Sequence, residues 1–202
     1  MVSDPLLFIV SDAVPARSLS EFVALAKRDP GKLMFGTPGT SSQATMVTNL
    51  FSQRAGISML EVPYRGGAPA MLALMSGEVQ FAVMSTQLSA PQIEAGKVRA
   101  LAAGGERRSE RFPAVPTLAE TGFAEVPATQ WVGLLAPGPT PREIVTRLNA
   151  ALERVLDSAE VRSRLAGQGM SVAKSSPEEF QALIAAEIRQ WSDQAKSAKA
   201  RF

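Results

Sequence analysis

An α/β layer on a mostly parallel sheet is the architecture this sequence predicts, and two observations carry the prediction. Short apolar runs of strand length alternate with segments whose apolar residues recur at helical spacing, from the start of the chain to about residue 104. Helix-start and helix-stop signals fall where the period changes, so the two kinds of segment are punctuated as well as patterned.

In chain order, LLFIV (6 to 10) reads as a buried strand ended by Ser11 and Asp12. Ser18-Leu19-Ser20-Glu21 has the spacing of a capping box, and Phe22, Leu25 and Ala26 give the following helix an apolar face up to Asp29-Pro30-Gly31. LMFG (33 to 36) is a strand, ATMVTNLFSQRAG (44 to 56) a helix stopped by Gly56, and ISMLEVP (57 to 63) a strand. APAMLALMSG (68 to 77) is a helix, VQFAVM (79 to 84) a strand, 87 to 95 a helix and VRALAAG (98 to 104) a strand. The texture then changes. Gly104, Gly105, Pro113, Pro116, Gly122 and Pro127 surround one short helical stretch, TLAET, and read as a connection between units. ATQWVGLLAP (128 to 137) is strand-like. Thr140-Pro141-Arg142-Glu143 predicts a capped helix start, followed by Ile144, Leu148, Leu152, Val155 and Leu156 at helical spacing. Ser176-Pro177-Glu178-Glu179 opens the last helix, with Phe180, Leu183, Ile184, Ile188 and Trp191 as its buried stripe. No repeat of fixed period interrupts this order.

Composition narrows the chemistry. With 202 residues, 46% of them hydrophobic, the chain can bury the core of one large domain or two small ones. Lys and Arg exceed Asp and Glu by 21 to 19, a net +2, and Arg107, Arg108 and Arg111 alternate with Glu106 and Glu110, as on a solvated loop. Nucleic acid is not an expected partner. There is no histidine for proton transfer near neutral pH and no cysteine for thiolate, zinc or disulfide chemistry. No metal site or cofactor is expected, nor any membrane insertion, since no apolar run reaches membrane-spanning length. MVSDPLLFIV lacks the basic region and cleavage site of an export signal.

Three loops remain as candidates for function. In GTPGTSSQ the residues Thr37, Gly39, Thr40, Ser41, Ser42 and Gln43 lie between a strand and a helix, at the strand's carboxyl end, where open α/β sheets place ligand crevices. The helix start offers free amides and a positive dipole end, so an anion could sit there without a charged side chain. An ordinary turn with a serine N-cap explains the same residues. The stretch lacks the lysine of a P-loop and is not a G-x-G-x-x-G fingerprint. Pro63-Tyr64-Arg65-Gly66-Gly67-Ala68 repeats the device, as either a pocket wall or a cover for the sheet edge, and Ser85 and Thr86 place hydroxyls after a third buried strand. Loops of one design at one sheet end would form one mouth. For catalysis the chain offers only Ser171-Val172-Ala173-Lys174, an S-x-x-K spacing on a strand, where alternation sends the two side chains to opposite faces.

The blocks FGTPGTSSQATMVTNLFSQRAGISMLEVPYRGGAPAMLALMSGEVQF, IEAGKVRALAA, FPAVPTLAETGF, QWVGLLAPGPTP and the SPEEF helix resemble, in order and spacing, the solute-binding proteins of tripartite tricarboxylate transporters, the Bug family. The resemblance implies a periplasmic, two-lobed protein of the type II periplasmic-binding-protein kind that closes like a hinged clamp on a small organic carboxylate and catalyses nothing. It implies that backbone amides and small side chains of both lobes grip the carboxylate, often through water, which matches the reading of Thr37 to Gln43; Gly66, Gly67, Ala68, Ser85 and Thr86 complete the candidate ligand-binding set. Membrane transporter subunits, or a membrane sensor in an alternative reporting role, are the implied partners. By the same resemblance residues 6–127 are a nearly complete second lobe and 128–202 the carboxyl-terminal part of the first, with that lobe's amino-terminal half and signal peptide expected to be missing from these residues. The third loop departs from the family in having Met84 where an aspartate is common, which argues against a ligand with a free amine. Gly66-Gly67 stands where the family often has Gly-Thr, and Trp131 is placed near the lobe junction, as a packed anchor or a pocket wall.

Overall fold

The computed structural model describes residues 1–199, with the side chains of residues 1–193. One long strand organises it. β1 (Val2–Ser11) is followed by α1 (Leu19–Arg28), β2 (Met34–Thr37), α2 (Gln43–Ala55), β3 (Leu60–Pro63), α3 (Gly67–Ser76), β4 (Phe81–Ser85), α4 (Thr86–Glu94) and β5 (Val98–Ala103). Then come β6 (Thr129–Val132), α5 (Arg142–Asp157), α6 (Ala159–Gly167), β7 (Ser171–Val172) and α7 (Pro177–Lys199).

The sheet order is β3-β2-β4-β1-β5, with β6 and β7 paired to β1. The α/β class holds, but the sheet is mixed. β2 runs parallel to β3 and β4, whereas β1 is antiparallel to β4 and β5 on either side of its later half and to β6 and β7 in its first residues. Residue pattern could not set this direction, because a buried apolar run such as LLFIV is equally at home in either orientation. β1 also begins four residues before the apolar run, since Val2 to Pro5 pair with Val132 to Thr129.

Alternation along β1 divides the core. Leu6, Phe8 and Val10 face the cluster that holds Phe22 of α1 and Val47, Leu50 and Phe51 of α2, while Leu7 and Ile9 face Ala70, Met71 and Leu74 of α3. Phe51 is fully buried and sets its ring against Phe8, Phe81 and Phe123 at centroid distances of 5.2, 5.9 and 5.0 Å. This packing fixes α2, and with it the loop at the helix start.

Local signals are realised unevenly. Ser18 caps α1 by accepting the amide of Glu21 at 3.2 Å, while the Glu21 carboxylate takes the amide of Arg17. At Ser176 the full reciprocal box forms, with the Glu179 amide on Oγ at 3.1 Å and the Ser176 amide on the Glu179 carboxylate at 2.8 Å. Gly56 ends α2 with φ of 64°. The expected Thr140 cap does not form: α5 starts at Arg142, its N-cap position falls on Pro141 with no side-chain cap, and the Thr140 amide donates to the carbonyl of Pro137. TLAET is a turn and not a helix, because Thr117 bridges to Ala103 beside β5 and holds the chain there. α6, capped by Ser158 through the amide of Val161 at 3.2 Å, has no counterpart in the sequence reading. Trp131 is a packed residue, its ring 4.9 Å from that of Phe180 at an 83° angle.

Candidate functional site

Because β3, β2 and β4 are neighbours and parallel, the three loops that follow them emerge side by side at one sheet end. Hydrogen bonds join the first two: the amide of Tyr64 donates to the carbonyl of Thr37 at 2.9 Å and that of Gly66 to Pro38 at 3.1 Å. The second meets the third where Gly67 packs on Leu88 of α4, leaving a β-carbon at 67 only 2.7 Å from the leucine side chain. Gly66, with φ of 108°, makes the bend that allows both contacts.

Within the first loop the residues divide by role. Ser42 caps α2: its Oγ accepts the amide of Thr45 at 3.2 Å and lies 3.0 Å from the Thr45 hydroxyl, which donates to the carbonyl of Gly39 at 2.8 Å. That leaves the amides of Gln43 and Ala44, ahead of the first intrahelical bond, at the positive end of the helix. Thr40 and Ser41 are exposed, and Gly39 has open space where a side chain would stand. Gln43 reaches across to donate from Nε2 to the carbonyl of Thr129 at 3.1 Å, tying the loop to β6. Thr37 is buried, its hydroxyl 3.4 Å from Glu61 and from the amide of Gly39. Gly36 makes room for Tyr64 and Val79, whose atoms lie 3.4 and 3.0 Å from where its β-carbon would be.

At the second loop α3 begins at Gly67 with no side-chain cap, so its first amides, Gly67 and Ala68, are left to outside partners. The Tyr64 hydroxyl donates to Glu78 at 2.8 Å, and partial burial together with that carboxylate pushes the phenol up to about 12. It stays a neutral donor near neutral pH. Arg65 is exposed beside this loop.

At the third loop Ser85 caps α4 through the amide of Leu88 at 3.4 Å. Thr86 is fully committed to the fold. Its hydroxyl donates to the carbonyl of Pro5 at 2.7 Å, its amide donates to Asp4 at 3.3 Å, and Gly169 packs against its methyl. The sequence expectation that it offers a free hydroxyl to a ligand is therefore corrected. Sequence reading also passed over Asp4. This residue is 5% exposed and receives the Gln130 side-chain amide on its other oxygen at 2.7 Å. Burial pushes its carboxyl up, against the lowering pull of those hydrogen bonds. A polar residue preceding the apolar run carried no signal of burial.

Other candidates are disposed of by their partners. Lys174 pairs with Asp157 at 2.6 Å and Ser171 is exposed, so no serine–lysine dyad exists. The arginine loop is pinned rather than freely solvated: Arg108 grips both oxygens of Glu120, and Arg111 pairs with Glu94 at 2.7 Å and donates to the carbonyl of Gly167. Arg108 and Arg111 line a cavity of about 720 Å³ with Arg162 and Ser171, and an apolar cavity of about 450 Å³ lies among Leu134, Leu148, Leu152, Phe180 and Ile184. Among the described residues no acidic group gathers in a metal-binding cluster, and no helix is long and apolar enough to cross a membrane.

Comparison with known proteins converges on one group. Residues 1–198 match the model described as the tripartite tricarboxylate transporter family receptor. Protein BugT of Bordetella pertussis is 34% identical over 193 residues, which is 95% of this chain and 59% of BugT. An R. palustris protein solved with adipate superposes with a TM-score of 0.89 at 31% identity, over 98% of this chain and 66% of that one. MatC from Rhodopseudomonas palustris, solved with bound malate, gives 0.84 at 31% identity, over 96% of this chain and 67% of its own. This chain thus spans 59% of BugT's length and about two thirds of each of these structures.

Proposed function

Since the chain belongs to the tripartite tricarboxylate transporter receptor family, we propose that it captures a small organic anion in the periplasm for delivery to the membrane subunits of such a transporter, without catalysis. The carboxylate is held at the joined strand-end loops by the amides of Gln43, Ala44, Gly67 and Ala68, with Gly39, Thr40, Ser41, Ser42 and Ser85 around it. Residues 6–127 form the lobe that carries these loops, and 128–202 belong to the facing lobe.

The observation that carries this reading is the convergence itself. Two helix starts, one of them uncapped, open onto loops cross-linked by the Tyr64 to Thr37 and Gly66 to Pro38 hydrogen bonds. Such an array concentrates amide donors and two positive dipole ends in one place. The resulting chemistry is hydrogen bonding to an anion, and the adipate and malate in the two R. palustris relatives are anions of that class. Titration calorimetry with a panel of mono-, di- and tricarboxylates tests it. Saturable heat with at least one acid, abolished by esterifying that acid, is expected. Silence across the panel would overturn the proposal.

A further inference from the structure

We infer that Asp4 is a specificity-determining residue of this cleft, placing a buried acceptor beside the third loop so that the preferred anion carries a hydrogen-bond donor, foremost an ammonium group, near its carboxylate. The inference rests on the proposed reading of the loops as an anion site and extends it to the rest of the ligand.

Asp4 belongs to the same alternating set of β1 positions as Leu6, Phe8 and Val10, which pack on the α2 side of the sheet. Its carboxylate is held from two directions, by the amide of Thr86 in the third loop and by Gln130 of β6. Next to Gln130, Thr129 receives the side chain of Gln43 from the first turn of α2. Asp4 is therefore bonded directly to the third candidate loop and linked to the first through β6, by way of Gln130 and the neighbouring Thr129. A carboxylate can accept about four hydrogen bonds, and two are donated here. Among the described residues no lysine or arginine pairs with it. It is a buried carboxyl with spare acceptor capacity and, among the described residues, no countercharge, and burial pushes it up.

Such a group discriminates between ligand ends. A second ligand carboxylate brought beside it meets like charge, a methylene leaves its acceptors unused, and a hydroxyl fills one of them. An ammonium both fills an acceptor and neutralises the charge, and charge-assisted hydrogen bonds are the stronger kind. The loss of an aspartate at position 84 argues from sequence against an amine-bearing ligand, but β1 supplies a carboxylate next to the same loop.

Succinate, malate and aspartate share a four-carbon dicarboxylate frame and differ at one carbon by hydrogen, hydroxyl or ammonium. Calorimetry of the chain with each is expected to give aspartate at least about tenfold tighter than succinate, with malate between. Asp4→Asn keeps the shape, still accepts the Thr86 amide through its oxygen and meets Gln130 once that side-chain amide turns to present its oxygen, and it should compress the three affinities to within about threefold. Equal affinities in the unsubstituted chain, tighter succinate, or a preference that survives Asp4→Asn would each overturn the role of Asp4 while leaving anion capture intact. Absence of binding by all three acids would defeat this inference, and anion capture falls with it only if the wider carboxylate panel is silent too. Because the ordering in the unsubstituted chain is itself decisive, the test does not depend on the variant folding.

Discussion

Replacing Ser42 with alanine separates the structural from the ligand-facing part of the first loop. The Oγ of Ser42 accepts the Thr45 amide at 3.2 Å, and alanine leaves that amide without its cap. Loss of a serine cap costs about 1 kcal/mol, within a range of about 0.5–2. Two features keep the cost from growing. The Thr45 hydroxyl retains its 2.8 Å bond to the carbonyl of Gly39, and the backbone bond from the Ser42 amide to that same carbonyl, 3.0 Å, does not involve the lost side chain. The turn should persist. For a chain of this length about 1 kcal/mol corresponds to a fall of about 2–4 °C in the thermal midpoint, read by circular dichroism alongside urea unfolding. If Ser42 also touches the bound carboxylate, losing one hydrogen bond to a charged group weakens binding by about ten- to a hundredfold, read by calorimetry under the same conditions. Ser42→Gly should restore most of the stability, because glycine caps within a few tenths of a kcal/mol of serine, but none of the affinity. An unchanged midpoint in Ser42→Ala would refute the capping argument. Equal affinities of Ser42→Gly and the unsubstituted chain would refute the placement of Ser42 at the ligand.

Two further outcomes are expected. Phe51→Ala empties a fully buried site against Phe8, Phe81 and Phe123 and should lower the unfolding free energy by about 3–5 kcal/mol, measured by urea titration; a loss under about 1 kcal/mol would mean that α2 is not fixed by this cluster. Hydrogen bonds from Arg108 and from the Thr117 amide hold the Glu120 carboxyl at about 2 against its usual 4.5, so the stability it contributes is complete above pH 4.5 and lost as pH falls towards 2. Urea titrations across that window should find Arg108→Gln less stable at neutral pH, with the difference shrinking on acidification and with added salt. A difference independent of pH would contradict the pairing.

The elements easiest to read were those whose signals are local. The caps at Ser18 and Ser176 and the stop at Gly56 are chemistry within four residues, and the structure keeps all three, though only Ser176 completes the reciprocal box. The strand-end loops were legible for the same reason, since glycine and small hydroxyls at a change of period mark a strand-to-helix turn wherever it lies. What stayed hidden depends on partners distant in sequence. Strand direction in β1 is set by neighbours some 75 to 170 residues away, and its first residues are held by β6 and β7 rather than by hydrophobicity of their own. Thr140 has the right residue type for a cap, yet its amide turns back to Pro137 and the helix opens one residue on. Thr86, which looked available, is bonded to Pro5 and Asp4, and Asp4, which the sequence reading passed over, is buried with contacts from positions 86 and 130.

The account stands on backbone amides at the openings of α2 and α3 holding a carboxylate. Amide nitrogen–proton correlation spectra of the labelled chain, recorded as a bound carboxylate is titrated in, observe those groups directly. The largest saturable shifts are expected at Gln43, Ala44, Gly67 and Ala68, with little change at Phe51 or along β5. Shifts centred on the arginine-lined cavity around Arg107 and Arg162, with the four loop amides unmoved, would contradict it.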